Sequence, residues 1–102
     1  MAESVPILVQ ADPEIADLVP QYLARRRAEL PMLQAALQAA DVGALQRAGH
    51  RIKGSAAGYG CAPLGELAAQ LDAAARANDL RAAERAVREI ADWISRAVPA
   101  PG

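Results

Sequence analysis

Apolar side chains recur at three- and four-residue intervals along almost all of this 102-residue chain, and only a few punctuating residues interrupt them. Such spacing gathers them on one face of an α-helix. Val19, Tyr22, Leu23, Leu30, Leu33 and Leu37 form one stripe that runs to Ala40. Leu45, Ala48, Ile52, Ala56 and Tyr59 form the next, then Leu64, Leu67, Ala68, Leu71 and Ala75, then Leu80, Ala83, Val87, Ile90 and Ile94. Asp41 and Asp79 stand where a helix N-cap belongs, and Pro63 where a first turn accepts proline. Gly60 suits the left-handed residue that ends a helix. Pro31 lies inside the first stripe and predicts a kink, because it cannot donate to the carbonyl of Arg27.

Ahead of these stripes, Asp12-Pro13-Glu14 reads as a helix start, with Ile15, Leu18 and Val19 as a short apolar face, and Pro20 either bends this helix or starts the next one. Val5 to Gln10, broken by Pro6, reads as extended, and the tail from Val98 onward is expected to fray. Short links between amphipathic helices make neighbours antiparallel. The expectation is one all-α domain over residues 1–102: an antiparallel up-and-down four-helix bundle with a short additional N-terminal helix. Residues 1–11 form a lead-in, about 12–98 are helical, and 99–102 form the frayed tail. Composition agrees: Phe is absent, aromatics are 3%, and alanine, the best helix former, carries much of the 53% apolar content. The similar stretches at 40–48 and 78–86 read as two helices begun by the same cap, not as a repeat.

The same residues exclude several functions. A net charge of −1 offers no basic field to a nucleic-acid backbone. One Cys forms no internal disulfide, and one Cys with one His cannot supply four zinc ligands. No glycine-rich phosphate-binding loop ending in Lys-Ser or Lys-Thr is present. The acidic start and the lack of any run near ~20 apolar residues argue against a secretory signal and a membrane span. A soluble cytoplasmic monomer is expected.

The one histidine breaks the pattern. At about 100° per residue, Lys53, Gly54, Ala57, Gln46, Gly43 and Arg47 lie within about 60° of His50, while the stripe of its helix lies opposite. His50 thus points outward from mid-helix onto a face of small and cationic residues. Gly43, Gly49, Gly54 and Gly58 each cost this helix roughly 0.5–1 kcal/mol relative to Ala, a sign that something must come close. An exposed nucleophile, bare access at Gly54 and the ammonium of Lys53 are what a phosphoryl acceptor needs.

The segment Ala-Gly-His50-Arg-Ile-Lys53-Gly54-Ser55-Ala-Ala-Gly58-Tyr-Gly60 resembles the H-x-x-K-G-S/A signature of histidine-containing phosphotransfer domains, of the small bacterial type. The stretches 29–41, 59–64 and 67–72 resemble the preceding and following helices of that family, so the likeness spans about Asp12 to Val98. Two departures stand out: Gly49 where the family often has Ala, and Asp72 where a Glu is common. The resemblance implies a phosphocarrier in two-component signalling, not an enzyme. His50 would accept a phosphoryl group from a receiver-domain aspartyl phosphate and pass it to another receiver, with Lys53 stabilising charge. Gly54, Ala57, Gln46, Arg47 and Gly43 would form the access and docking face. The implied partners are response-regulator receiver domains and a hybrid sensor histidine kinase. Mg²⁺ would belong to the receiver, and this chain would bind no cofactor or metal. The alternative is a helical module that docks receivers or a kinase without carrying phosphate.

The remaining conspicuous residues read as structural. Arg25-Arg26-Arg27 is expected to be solvated, with one stem along the core edge. Cys61 reads as a small buried hydrophobe and Trp93 as packing. Ser55 lies about 140° from His50, too far round to assist it.

Overall fold

The computed structural model describes residues 5–101. Strand β1 (Ile7–Val9) leads through a single 3-10 turn (Ala16–Leu18) into helix α1 (Val19–Gln38). Helix α2 (Val42–Ala56) ends in a second 3-10 turn (Ala57–Tyr59), and α3 (Ala62–Arg76), α4 (Leu80–Arg96) and strand β2 (Ala97–Pro99) complete the chain. α2 packs on α3, α3 on α4, α4 on α1 and α1 on α2, closing a ring of four helices. Leu23, Leu33, Leu45, Ile52, Leu64, Leu71, Ile90 and Ile94 are fully buried inside it. Leu30, Leu37, Tyr59 and Leu67 pack at its margin.

The two similar sequence stretches build the same junction twice. Each preceding helix ends in a left-handed residue, Ala40 at φ 53° and Asn78 at φ 56°. The following amide then reaches back five residues, Asp41 to the Ala36 carbonyl (2.9 Å) and Asp79 to that of Ala74 (2.8 Å). The same two aspartates next accept from Ala44 and Ala82 at 3.0 and 3.1 Å, which caps α2 and α4. One aspartate therefore closes one helix with its backbone and opens the next with its side chain. α1 continues through Pro31 without a loop.

Three expectations fail at the chain ends. A helix from Asp12 does not form: the Asp12 carboxylate accepts from the amide of Glu14, making a local turn, and only Ala16–Leu18 winds ahead of α1. Pro20 has no N–H for the Ala16 carbonyl, so a helix entering α1 loses that bond. Leu18, placed on an apolar face, is 42% exposed. The tail also does not fray at Val98 and Pro99. Ile7, Leu8 and Val9 pair in parallel with Ala97, Val98 and Pro99, and Ala100 donates to the Val9 carbonyl at 2.9 Å. Arg27 fixes this seam by donating to the carbonyls of Ile94 (3.3 Å) and Ala97 (2.7 Å). The ends expected at residues 1–4 and 102 lie outside the described residues.

Gly60 and Ala40 form a natural pair for testing these turns. Gly60 sits at φ 76°, and a Cβ there would run into the backbone of Gln10 and Ala11. Gly60→Ala should destabilise the protein by more than the ~1–2 kcal/mol of a left-handed alanine. Ala40→Gly should stabilise it by up to ~1 kcal/mol, since the strain it relieves exceeds the added unfolded-state entropy. Urea denaturation of the two variants measures both signs.

Candidate functional site

His50 lies in the middle of α2 and is exposed, as are Arg47, Lys53, Gly54 and Ala57, while Gln46 and Gly43 are half-buried. Six of the seven lie on α2 and Ala57 in the 3-10 turn that follows it; the exposure of His50, Arg47, Lys53, Gly54 and Ala57 agrees with an outward face. Among the described residues, no hydrogen bond holds the imidazole. A Cβ added at Gly54 would meet nothing within 4 Å, so the turn after the histidine is open space. At Gly43 a Cβ would meet chiefly the tip of Arg47, at 3.2 Å, so that guanidinium folds back along its own helix.

Gly49 has a different role from the one its sequence position suggests. It is buried, and a Cβ there would stand 2.8 Å from the Asp72 amide nitrogen and 2.9 Å from the Ala68 carbonyl. Glycine at this point lets the backbone of α3 lie directly against α2, beneath the histidine. It is a close-approach glycine, not part of the open face. Near the other end of α2, Gly65 of α3 lies against Ala56.

That closeness brings in a residue the sequence did not reveal as part of the site. The carboxylate of Asp72, on α3 and 4% exposed, accepts from the Lys53 ammonium at 3.1 Å and from Arg76 Nε at 3.0 Å, through different oxygens. Burial pushes this carboxyl group up, but the hydrogen bonds and charges of Lys53 and Arg76 outweigh it and hold Asp72 below its ordinary value of 3.8. Lys53 is thus an engaged cation and not a free one, although its side chain is still 42% exposed. The only sequence signal was Asp in place of the family's usual Glu.

The far end of α2 is anchored to α1. The Tyr22 and Ser55 hydroxyls are 2.7 Å apart, and the Tyr22 and Tyr59 rings stack at 4.2 Å. Arg26 covers the other face of this pair, its guanidinium 4.7 Å from the Tyr22 centroid, and is paired with Glu29 at 3.0 Å. Glu29 also takes Arg51 of α2 at 3.3 Å. The arginine triplet was expected to be solvated with one stem along the core edge; Arg26 takes that edge position but is only 8% exposed, head group included, and Arg27 is bound to backbone carbonyls. Among the described residues, Arg25 makes no contact of this kind. Ser55 serves the helix anchor. Trp93 and Cys61 are buried in the core, and burial pushes the Cys61 thiol up to about 11.

Asp72 makes the stability of the protein depend on pH in a definite sense. A carboxyl group whose folded pKa lies below its unfolded value stabilises fully above the unfolded value and loses this contribution as pH falls through the folded one. The stability difference between wild type and Asp72→Asn should therefore be constant from neutral pH down to about 5 and shrink below about 4. Urea titrations of the two proteins across that range measure it.

The family model described as Hpt domain matches residues 17–99. No curated protein and no solved structure matches the chain.

Proposed function

Because the chain belongs to the Hpt domain family, which serves phosphotransfer in two-component signalling through receiver domains and kinases, we propose that it is a phosphorelay intermediate carrying the phosphoryl group on His50. The observation that carries this reading is an unencumbered imidazole in mid-helix with open space at Gly54, on a strip that a flat partner surface can approach. The unprotonated ring nitrogen of His50 attacks phosphorus of a receiver's aspartyl phosphate. The N–P bond forms, the P–O bond to the aspartate breaks, and its electron pair leaves with the carboxylate. The other ring nitrogen keeps its proton. Reversal on a second receiver passes the group onward.

Such transfer depends on positioning and charge stabilisation more than on covalent help. Lys53, one helical turn from His50, neutralises the phosphoryl oxygens, and Gln46, one turn earlier, is placed to hydrogen-bond them. Gly54 and Ala57 keep the approach clear, with Arg47 and Gly43 flanking it. The Mg²⁺ that transfer requires is assigned to the receiver, since Asp72, the one buried carboxylate among the described residues, already serves two cations. The chain is read as a carrier and not an enzyme.

The contact order supports an antiparallel up-and-down bundle: residue 49 meets 68 and 72 while 56 meets 65, and Tyr22 meets Ser55 while Glu29 meets Arg51. Among the described residues no helix is long and apolar enough to cross a membrane, which suits a cytoplasmic partner of receiver domains. We read residues 1–102 as one domain acting as a monomer.

His50→Gln should abolish phosphoryl uptake from a phosphorylated receiver and leave the melting temperature unchanged, because the side chain is exposed and unbonded. Uptake on another residue would exclude the assignment, and a protein that binds receivers without taking phosphate would be a docking module. Gly54→Leu should keep the fold and still be modified by phosphoramidate, a small donor. It should lose exchange with receivers, whose surface needs the space the leucine fills. Labelled-phosphate transfer assays with both donors separate these outcomes.

A further inference from the structure

The carboxylate of Asp72 divides its two oxygens between two cations from different helices. Oδ2 takes Lys53 of α2 and Oδ1 takes Arg76 of α3. The carboxylate is buried while both cations reach solvent, with side-chain exposures of 42% for Lys53 and 60% for Arg76. A buried carboxylate stripped of its last partner is strongly unfavourable. With two partners, either can leave without stranding it. Lys53 lies on the His50 strip, whereas Arg76 belongs to the helix behind it.

We propose that Asp72 and Arg76 form a parking seat for Lys53: Asp72 holds the ammonium while His50 is unmodified, and Arg76 keeps Asp72 neutralised when Lys53 turns to the phosphoryl group. The proposal rests on His50 being the phosphoryl acceptor and adds two positioning residues to that reaction. Neither touches the reacting atoms. Arg76 acts by making Lys53 releasable, and Asp72 acts by keeping Lys53 beside the histidine and no farther away. Gly49 is part of the same device, because its missing Cβ is what lets Asp72 come up against α2 despite its short side chain.

The arrangement has a consequence that a purely structural ion pair does not. Without Arg76, Lys53 becomes the sole partner of a buried carboxylate and is trapped there. Arg76→Ala should therefore slow phosphorylation of His50 by phosphoramidate about as much as Lys53→Ala does. We expect about tenfold, below the ~10²–10³ of a buried oxyanion donor, because this cation is partly exposed. Asp72→Asn placed in the Arg76→Ala protein should raise the rate to that of Asp72→Asn alone, since it removes the trap while giving up the positioning that Asp72 supplies. In a Lys53→Ala background, Arg76→Ala should have no further effect. Circular dichroism and thermal melting establish that each variant is folded.

A measurement on the wild-type protein is independent of the variants. On phosphorylation, the Lys53 ammonium resonance should shift while the Arg76 Nε–H keeps its bonded position. A slow Arg76→Ala protein that Asp72→Asn fails to relieve, or a Lys53 resonance that does not move, overturns the parking seat. Exchange of phosphate between the wild-type protein and a receiver is run alongside. Its absence would instead overturn the relay reading.

Discussion

Contact between the backbones of α2 and α3 at Gly49 is the constraint on which the rest of the functional surface depends. Helices carrying ordinary side chains keep their axes 8–10 Å apart. Here a single missing Cβ lets the Ala68 carbonyl and the Asp72 amide occupy the space a side chain would need. The residue after that contact is His50. The histidine therefore stands on a helix whose inner side is pressed against its neighbour, and this holds the outward side at a defined height. The alanines of α3, among them Ala68 and Ala75, are buried as well. A chain without Phe can fill such a bundle because narrow gaps between helices need little side-chain volume.

A helix with this much glycine requires support from outside itself. Its N-terminus is held by the Asp41 cap and its C-terminus by the stack of Tyr59 on Tyr22. Arg26 closes that stack from the other side, which explains why a charged residue is buried there: its face lies on a ring, and its edge meets Glu29. Exposed ion pairs contribute little to stability. Arg26–Glu29 is mostly buried and joins an aromatic stack, so it fixes the geometry of this end of α2. Both ends of α2 are anchored, and the open strip with His50 lies between the anchors.

How much of this was legible in sequence follows from the range of each interaction. Stripes, caps, Gly60 and the outward direction of His50 depend on residues within one or two turns of each other, and periodicity shows them. The parallel pairing of Ile7–Val9 with Ala97–Pro99 joins segments ninety residues apart, and neither carries a strand signature. Asp12 satisfied every local rule for a helix start, yet its side chain closed a turn with Glu14 because Pro20 stood in the path of a longer helix. Gly49 and Asp72 were visible as departures from a family pattern, but only their contact across two helices gave the departures a meaning.

The same reasoning explains why the two departures belong together. An aspartate has one methylene fewer than a glutamate, so from an unchanged helix position its carboxylate falls short of a cation on the facing helix. Removing Cβ at residue 49 brings the Asp72 backbone closer to α2 and offsets that loss, and the carboxylate meets Lys53 at 3.1 Å. Shortness then has a benefit of its own. With fewer rotatable bonds, Asp72 has fewer ways to follow Lys53 outward, so its position is set by α3 and not by the cation it holds. A fixed acceptor with a second cation already in place is what allows a lysine to be held and released without disturbing the bundle.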